Sequence, residues 1–474
     1  MRFIRSAAAA AVLLAAHPLA AQETWLRGEW GGALEVPGTP LRLGLTVTDS
    51  AGTLHARFRS VDQGDAEFAA TVRTVGDSAI FEAARVGATY RAVRVGRDTL
   101  RGEWTQGPGT LPMTMTRGAL PRGRAMRRPQ HPQPPFPYRS EDVTVESVPG
   151  VRLAGTLTLP TGAGPHPAVV LVSGSGAQDR DETLVGHKPF LVLSDYLTRN
   201  GIAVLRLDDR GTGRSTGSFA ASTSEDFARD AAAALRWLRA RPEVRDDAVG
   251  IVGHSEGGMI GPMVAARYPD DVNFLVLLAG PGMPSADLLM LQGALISRAD
   301  GDSEAEVQRT LTLQRELFGA IAQTADSTAL HARLREITAR FRASLTAEER
   351  AQPAYSDATM EATLGTLVSP WYRWFVRYDP APALRATRVP VLALNGSKDL
   401  QVPADENLGG IARALRAAGN RDVTTEALPG LNHLFQTATT GAPSEYGQIE
   451  ETIAPVVLER VTAWIRARFV TGRE

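Results

Sequence analysis

Ser255 lies in a short glycine-rich stretch, residues 253–258, which reads GHSEGG. An apolar run, 248–252, precedes it, and a segment typical of a helix, 259–268, follows it. A serine on a sharp turn between a strand and a helix needs small neighbours, and the turn lifts its hydroxyl clear of the sheet. The first N–H groups of the helix then stabilise negative charge that develops beside the serine. The pattern predicts nucleophilic chemistry at Ser255; the alternative is an ordinary glycine-rich turn with an inert serine.

A serine hydroxyl needs a base within hydrogen-bond reach, and a carboxylate must orient that base. Of the eight histidines, His433 is the one that follows the last predicted strands. Asp399 comes directly after the predicted strand 389–394, and Asp405 is the alternative acid. The chain order is then Ser, Asp, His, as expected for a serine on a strand-to-helix turn. We predict that Ser255, Asp399 and His433 form a catalytic triad.

A second backbone donor for an oxyanion is expected in the loop 173–181, which begins with SGSG after the predicted strand 168–172. Glycines there let backbone N–H groups approach a ligand closely. We expect the N–H of Ser175 to act together with that of Glu256, and Gly176 is the alternative to Ser175. A phosphate-binding loop is disfavoured because the Lys and Ser/Thr spacing of nucleotide loops is absent.

Alternating strand and helix patterns run through residues 141–474 and predict an open, mostly parallel α/β sheet. Sites in such sheets gather at the carboxyl ends of the strands. The segment from about 285 to 385 has helical patterns only, so we expect it to form a cap over those strand ends. Four cap aromatics are predicted either to line the acyl pocket or to form the core of the cap. They are Trp371, Tyr372, Trp374 and Phe375.

Two further predictions concern elements around the site. Ser224 is expected to cap a predicted amphipathic helix, 224–241, because serine is a favoured residue at that position. Asp209 and Arg210, which follow a predicted strand, are expected to pair and to brace the neighbouring loops. Both features are interpreted as support for the site and not as chemistry.

The N-terminal part, residues 22–116, predicts an all-β domain from its short alternating runs and its turn signals. The pattern LRGEW occurs at 26–30 and again at 100–104, near the two ends of this part. The repeat predicts that the first and last strands meet and close a small barrel or sandwich. Residues 117–140 are rich in proline and arginine, which predicts an extended, solvated linker.

Composition narrows the possible partners and chemistry. The chain has 474 residues, enough for two or three domains, and a formal net charge of −1. That charge favours neither a nucleic-acid partner nor an anionic membrane surface. The chain contains no cysteine, which excludes disulfides, thiolate chemistry and cysteine-ligated metal. We predict no metal site.

The first 21 residues have the pattern of an export signal. Arg2 and Arg5 provide positive charge, and the apolar stretch 7–16 is too short to span a bilayer. Small residues follow, and cleavage is expected before Gln22. We therefore expect a mature protein without a membrane span that is periplasmic or secreted.

Residues 141–468 resemble the α/β-hydrolase superfamily. The GHSEGG stretch at 253–258 is similar to the turn of its esterase and serine-aminopeptidase-like branches, and DRGTGRS at 209–215 resembles a motif common in them. SGSG at 173–176 stands where many members carry His-Gly, while residues 432–447 resemble secreted bacterial hydrolases that also have an N-terminal β domain. The resemblance implies a cofactor-free serine hydrolase acting on small-molecule carboxylic esters.

Three alternatives stay open. A serine aminopeptidase or a thioesterase could use the same triad. An aminopeptidase would need a carboxylate in the cap to hold a free α-amine. The cap offers five candidates: Glu304, Glu306, Glu316, Glu348 and Glu349. The third alternative is a non-catalytic binding protein that acts through its β domain, and the complete set of serine, histidine and aspartate argues against it.

Overall fold

The computed structural model describes residues 24–34, 41–50, 52–61, 66–83, 86–106, 109–120, 127–162, 164–351 and 355–470. The predicted signal peptide, 1–21, lies outside the described residues. Within the described ranges, no helix combines the length and the apolar character needed to cross a bilayer.

The N-terminal strands form a closed antiparallel barrel, as the all-β prediction requires. Its strands are β1 (Gly28–Leu34), β2 (Leu41–Ser50), β3 (Thr53–Ser60), β4 (Ala66–Val75), β5 (Ser78–Ala83), β6 (Ala88–Val95), β7 (Thr99–Gln106) and β8 (Gly109–Arg117). β1 bonds to both β2 and β8, so the first and last strands meet as predicted. The second LRGEW copy lies in β7, next to the closing strand and not in it.

Aromatic side chains fill the interior of the barrel. Successive residues of a strand point to opposite faces, so alternate positions converge on the barrel axis. Phe58 packs edge-on against Trp104, with ring centroids 5.1 Å apart, and against Phe81 at 5.7 Å. The Tyr90 hydroxyl donates a hydrogen bond to a backbone oxygen at 3.1 Å, and burial raises the pKa of this phenol. Trp30 is fully buried, so both tryptophans of the repeated pattern serve packing.

The second sheet has the order β16-β15-β14-β13-β11-β12-β10-β9. Its strands are β9 (Arg139–Glu146), β10 (Arg152–Leu159), β11 (His166–Val172), β12 (Ala203–Leu207), β13 (Val244–His254), β14 (Phe274–Leu278), β15 (Val391–Gly396) and β16 (Val423–Leu428). Only the pairs that involve β10 are antiparallel. The central strands are apolar throughout because both faces of the sheet are covered. The predicted mostly parallel α/β sheet is confirmed.

Helices cover both faces of this sheet and one end of it. They are α1 (Pro189–Arg199), α2 (Ser224–Arg239), α3 (Glu256–Arg267), α4 (Ser285–Ala299), α5 (Glu304–Gln323), α6 (Ser327–Ser344), α7 (Ala347–Arg350), α8 (Asp357–Leu367), α9 (Pro370–Arg377), α10 (Ala381–Ala386), α11 (Ala404–Ala417) and α12 (Pro455–Phe469). One apolar layer packs α2, α3 and α11 on the sheet, and the opposite layer packs α1 and α12. Val169 and Val170 of β11 belong to opposite layers, as strand alternation requires.

The helices α4–α10 lie between β14 and β15 in the chain. They have an apolar core of their own, which includes Phe318, Ile321 and Leu334. In space, α4 and α5 pack against α9, and α8 contacts β8 of the barrel. The cap is therefore a separate helical layer with its own core.

The segment 127–138 is docked on the α/β domain, so the expected solvated spacer is wrong for this part. The half-buried Arg128 guanidinium donates hydrogen bonds to three backbone carbonyls at 2.6–3.2 Å. Those carbonyls belong to Val185, Gly447 and Ile449. Gln130 also bonds to the main chain of the α/β domain. The segment supplies donors to carbonyls that buried backbone would otherwise leave unpaired.

Candidate active site

Ser255 occupies a strained turn between β13 and α3. Its φ of 53° and ψ of −117° are unusual for a residue with a side chain. A Cβ added at Gly253 would lie 2.1 Å from the Gly257 oxygen, and one added at Gly257 would lie 2.0 Å from the Val172 oxygen. The Ser255 N–H donates to Leu278 O at 2.8 Å, which ties the turn to β14. Close backbone packing therefore requires glycine on both sides of the serine.

The structure brings His433 and Asp399 together. His433 Nδ1 lies 2.8 Å from Asp399 Oδ2, and the ring and the carboxylate are 5% and 0% exposed. The other oxygen of Asp399 accepts the N–H groups of Gln401 and Val402 at 2.8 Å each, which fixes the carboxylate. With Nδ1 donating to the carboxylate, Nε2 is the nitrogen that can accept a proton. Asp405, the alternative acid, is exposed in the first turn of α11.

Ser255 and His433 both line a cavity of about 370 Å³ beneath the cap. Ser175 and Glu256 line it too, so the two predicted oxyanion residues lie beside the serine. Its wall combines core residues with leucines of α4 and aromatic residues of α9. Four of the five predicted triad and oxyanion residues thus share one cavity, and the fifth, Asp399, bonds to the histidine.

Two of the four predicted pocket aromatics line this cavity, and two do not. Trp371 and Phe375 line it and stack with ring centroids 4.9 Å apart. Tyr372 packs into the apolar core of the cap, and Trp374 stacks on Tyr378 at 4.6 Å, away from the cavity. Residues four apart share one face of a helix, whereas the residues between them point elsewhere. The prediction for Tyr372 and Trp374 is therefore corrected by the phase of α9.

The oxyanion loop is held from below by a carboxylate. The Gly174 N–H already donates to Glu182 Oε1 at 2.7 Å, so this amide is engaged within the protein. The next amide in the loop belongs to Ser175, whereas Gly176 is not among the residues that line the cavity. The Glu256 N–H is the first of α3, and the first N–H groups of a helix have no intrahelical acceptor.

The side chain of Glu256 is buried and joins three parts of the molecule. Its Oε1 accepts hydrogen bonds from Ser224 Oγ at 2.5 Å and Trp371 Nε1 at 2.9 Å. Burial raises the pKa of Glu256, while these donors and the Ser175 hydroxyl act against that rise. Ser224 does not cap α2 as predicted, because Thr223 is the N-cap. The Ser224 hydroxyl bonds to Glu256 instead.

The predicted pair of Asp209 and Arg210 does not form. Asp209 accepts the N–H of Gln178 at 2.9 Å and the hydroxyl of Ser173 at 3.2 Å, directly beneath the oxyanion loop. Arg210 instead makes two hydrogen bonds, at 2.7 and 2.6 Å, to the carboxylate of Asp230 in α2. Each residue braces a loop, as expected, but through a different partner.

Sequence reasoning missed three groups of this site: the side chains of Glu182, His254 and Glu256. A usable signal was present, since charged or titratable residues flank the serine in a stretch where glycine dominates. The side chains that line the cavity include two glutamates and two histidines but neither lysine nor arginine. Within the described ranges, no group of three or more His, Asp or Glu side chains is arranged to hold a metal ion.

A serine on a strand-to-helix turn, at the carboxyl end of a mostly parallel sheet and beneath a helical cap, defines an α/β-hydrolase fold. Residues 149–422, more than half of the chain, match the family model described as X-Pro dipeptidyl-peptidase (S15 family). The chain belongs to this family.

The individual relatives either have low sequence identity to this chain or match a smaller part of it than the family model does. Esterase EstD of Thermotoga maritima is 34% identical over 155 residues, which are 33% of this chain and 35% of that esterase. The chain thus matches about a third of that relative's length. Among solved structures, an esterase of Pyrococcus furiosus has 14% identity and a TM-score of 0.42, covering 70% of this chain and 91% of that one. A proline iminopeptidase of Mycobacterium smegmatis has 18% identity and a TM-score of 0.42, covering 69% and 98%.

Proposed function

We propose that this protein is a serine hydrolase that cleaves small-molecule carboxylic esters through Ser255, His433 and Asp399. One observation carries the proposal: a buried histidine–aspartate hydrogen bond of 2.8 Å lies beside a serine held on a strained turn, in the same cavity. Membership in a family described as a peptidase, and partial similarity to an esterase, support hydrolysis of an acyl bond.

The reaction proceeds in two steps. Ser255 Oγ attacks the acyl carbonyl while His433 Nε2 takes its proton, and the same nitrogen then gives the proton to the departing alkoxide. This step breaks the ester bond and leaves the acyl group on Ser255. Water, deprotonated by His433 Nε2, attacks the acyl-enzyme. The bond between the acyl group and Ser255 Oγ then breaks, His433 gives the proton to Ser255 Oγ, and the acid leaves. Asp399 keeps Nδ1 protonated and stabilises the imidazolium in both steps.

We propose that the N–H groups of Ser175 and Glu256 bind the oxyanion. Both residues line the cavity beside the serine, and the amide of Gly174 is occupied by Glu182. One such donor contributes on the order of 10²–10³ in kcat. The stacked rings of Trp371 and Phe375, together with the leucines of α4, offer an apolar wall for the acyl chain.

Labelling and kinetics test the proposal. We expect a fluorophosphonate probe to label the wild-type protein and a nitrophenyl ester to give a product burst, with both signals lost in Ser255→Ala. Asp399→Asn should lower kcat by about 10⁴, because the histidine loses its orienting carboxylate. Asp405→Asn is the matched control and should keep full activity. Ester turnover by Ser255→Ala at the wild-type rate would overturn the proposal.

A second candidate is a peptidase that acts on substrates with a free amino terminus. The family name and the two carboxylates in the cavity wall favour it. These carboxylates, Glu182 and Glu256, come from the core of the α/β domain and not from the cap. The cap glutamates considered above as partners for a free α-amine have other roles: Glu304 pairs with an arginine on the surface, and Glu306 and Glu349 take part in helix capping. Comparison of kcat/KM for nitrophenyl esters, aminoacyl anilides and X-Pro anilides separates the two candidates. A matching thioester in the same panel tests thioesterase activity.

We further propose that the protein is exported and that the β barrel travels with the hydrolase domain. The support is the pattern of the first 21 residues, which a signal peptidase would remove. To test this proposal, the full chain with its own residues 1–21 is expressed in a bacterial host, and the mass of the purified chain is measured. A mature chain that begins at Gln22 agrees with it, and a chain that keeps residues 1–21 contradicts it.

A further inference from the structure

Glu182 and His254 form a buried chain of hydrogen bonds beneath the site. Glu182 Oε1 accepts the Gly174 N–H at 2.7 Å and faces His254 Nδ1 at 2.9 Å. The other ring nitrogen of His254, Nε2, lies 3.0 Å from the backbone oxygen of His433. The two side chains are 6% and 8% exposed. One continuous chain therefore links the oxyanion loop, the residue before Ser255 and the histidine loop.

The partners of His254 determine its charge. A backbone oxygen can only accept, so Nε2 carries a proton. Glu182 Oε1 accepts the Gly174 N–H and also faces Nδ1, which can donate to the same oxygen. Burial lowers the pKa of His254, but the charge and hydrogen bond of Glu182 and the carbonyl of His433 outweigh burial and raise it; Asp399 acts in the same direction. The hydrogen-bond partners and the raised pKa both favour the imidazolium form of His254.

The backbone at Glu182 is itself strained. Its φ of 52° is unusual for a residue with a side chain, and a favourable contact must compensate such a conformation. The second carboxylate oxygen has no hydrogen-bond partner among the described residues, whereas Oε1 contacts Gly174 and His254 and the Glu182 N–H donates to Asp179 O at 2.9 Å. The His254 and His433 rings approach with centroids 4.8 Å apart. The pair formed by His254 and Glu182, called the couple below, is therefore in contact with the catalytic histidine as well as with the surrounding core.

We propose that the His254–Glu182 ion pair positions the oxyanion loop and the His433 loop relative to Ser255, so that both residues are positioning residues of the reaction. The inference rests on the proposed function of Ser255 and His433. The couple contacts no reacting atom. It acts through the Gly174 amide on one side and through the His433 carbonyl on the other.

Substitution of each member tests the couple. Glu182→Gln and His254→Gln should each lower kcat for a short-chain nitrophenyl ester by about 30- to 100-fold and leave KM within about threefold, since small misplacements of catalytic groups have effects of this size. The double variant should lose no more than the worse single variant, because the two residues act as one unit. Asp230→Asn, which breaks the buried ion pair with Arg210, is the matched control. It should lower Tm and keep kcat within about twofold.

The pH profile provides a second readout. Glu182, Asp399 and His433 are the titratable groups that face His254 from the elements around it. Deprotonation of the imidazolium removes one link of the chain, so wild-type kcat should fall at alkaline pH. This alkaline limb should be absent from the double variant, which has no proton to lose there. If the two side chains had only a packing role, kcat of the double variant would show the same alkaline fall as that of the wild type.

Nitrogen-15 NMR of the histidine rings tests the charge without a substrate. We expect both ring nitrogens of His254 to be protonated from pH 6 to pH 8 in the wild-type protein, and a neutral ring in Glu182→Gln. A neutral His254 in an active wild-type protein would overturn the couple, as would single variants whose kcat stays within threefold of wild type. A wild-type protein that hydrolyses no ester and takes no fluorophosphonate would instead overturn the proposed function and the positioning role with it.

Discussion

Asp209 is a half-buried acid whose replacement by a neutral residue should stabilise the protein. Its carboxyl group lies beneath the oxyanion loop and accepts the Gln178 N–H and the Ser173 hydroxyl. Burial raises the pKa of Asp209 to about 8, and the negative charges of Glu256 and Glu182 act in the same direction. The folded protein therefore binds this proton more tightly than the unfolded chain does.

The sign and the size of the effect follow from that difference. The stability that Asp209 contributes is fully present below its unfolded pKa of 3.8 and is lost as the pH rises through about 8. A change of this size is equivalent to at most roughly 6 kcal/mol above both values. Part of the Asp209 surface stays accessible to water, so we expect about 3 kcal/mol.

Asp209→Asn should recover this free energy without disturbing the loop. The asparagine oxygen can accept the Gln178 N–H, and its NH₂ group can donate to Ser173 Oγ. Asp208 provides an adjacent control of opposite sign. Its burial is outweighed by hydrogen bonds from Arg180, which hold the pKa of Asp208 below its usual range. Its contribution is therefore present above the unfolded pKa and lost on acidification, and Asp208→Asn should cost about 3 kcal/mol at neutral pH.

Thermal unfolding between pH 5 and pH 8.5 tests this reasoning. For a domain of this size, 1 kcal/mol corresponds to about 2 °C in Tm. The Tm of Asp209→Asn should exceed that of the wild type by an amount that grows by about 5 °C across this range. The Tm of Asp208→Asn should fall below that of the wild type by a nearly constant amount across this range, because the unfolded pKa of 3.8 and the lower folded pKa of Asp208 both lie below pH 5. An Asp209→Asn variant that is less stable than the wild type at pH 8.5, or a gain that does not change with pH, would refute the argument.

Three further predictions concern packing and docking. Trp371→Phe removes a donor to the buried Glu256 and should cost about 1–3 kcal/mol and raise KM, whereas Trp374→Phe, which lies outside the cavity, should leave KM unchanged in the same ester assay. Gly257→Ala places a Cβ 2.0 Å from a backbone oxygen and should prevent soluble expression or lower Tm by at least about 8 °C; a normal melting curve would contradict the packing of the turn. Arg128→Ala should lower Tm by several degrees because three carbonyls lose a donor. The control Arg127→Ala, at the exposed arginine before it, should leave Tm unchanged.

Much of the fold follows from local patterns. Buried parallel strands are continuous apolar runs, so the core sheet and its order of helices could be predicted from sequence. The glycines around Ser255 predict the turn, because each of them lies against backbone atoms that leave no space for a side chain. The closure of the barrel was also predictable from the repeated strand pattern, whereas polar and apolar residues alternate only weakly in the short sequence of β5, so a local pattern does not mark it as a strand.

Contacts between distant segments account for what could not be predicted. Arg210 lies beside Asp209 in the sequence, yet it pairs with Asp230 one helix away. Ser224 has the residue type of a helix cap, but the helix begins one residue earlier than that role requires and the hydroxyl is free to reach Glu256. Glu182 and His254 are separated by 72 positions, and no local pattern relates them. Pair formation of this kind depends on tertiary packing.

The N-terminal barrel is closed by the pairing of its first and last strands, and side chains fill its interior. β1 and β8 bond to each other, so none of the eight described strands of the barrel is an edge strand that could pair with an incoming peptide. Its interior is filled by Trp30, Phe58, Phe81 and their aromatic neighbours. The barrel meets the cap where β8 contacts α8, and α8 in turn contacts α9. Since α9 carries Trp371 and Phe375 of the cavity wall, we expect the barrel to restrict the movement of this side of the cavity.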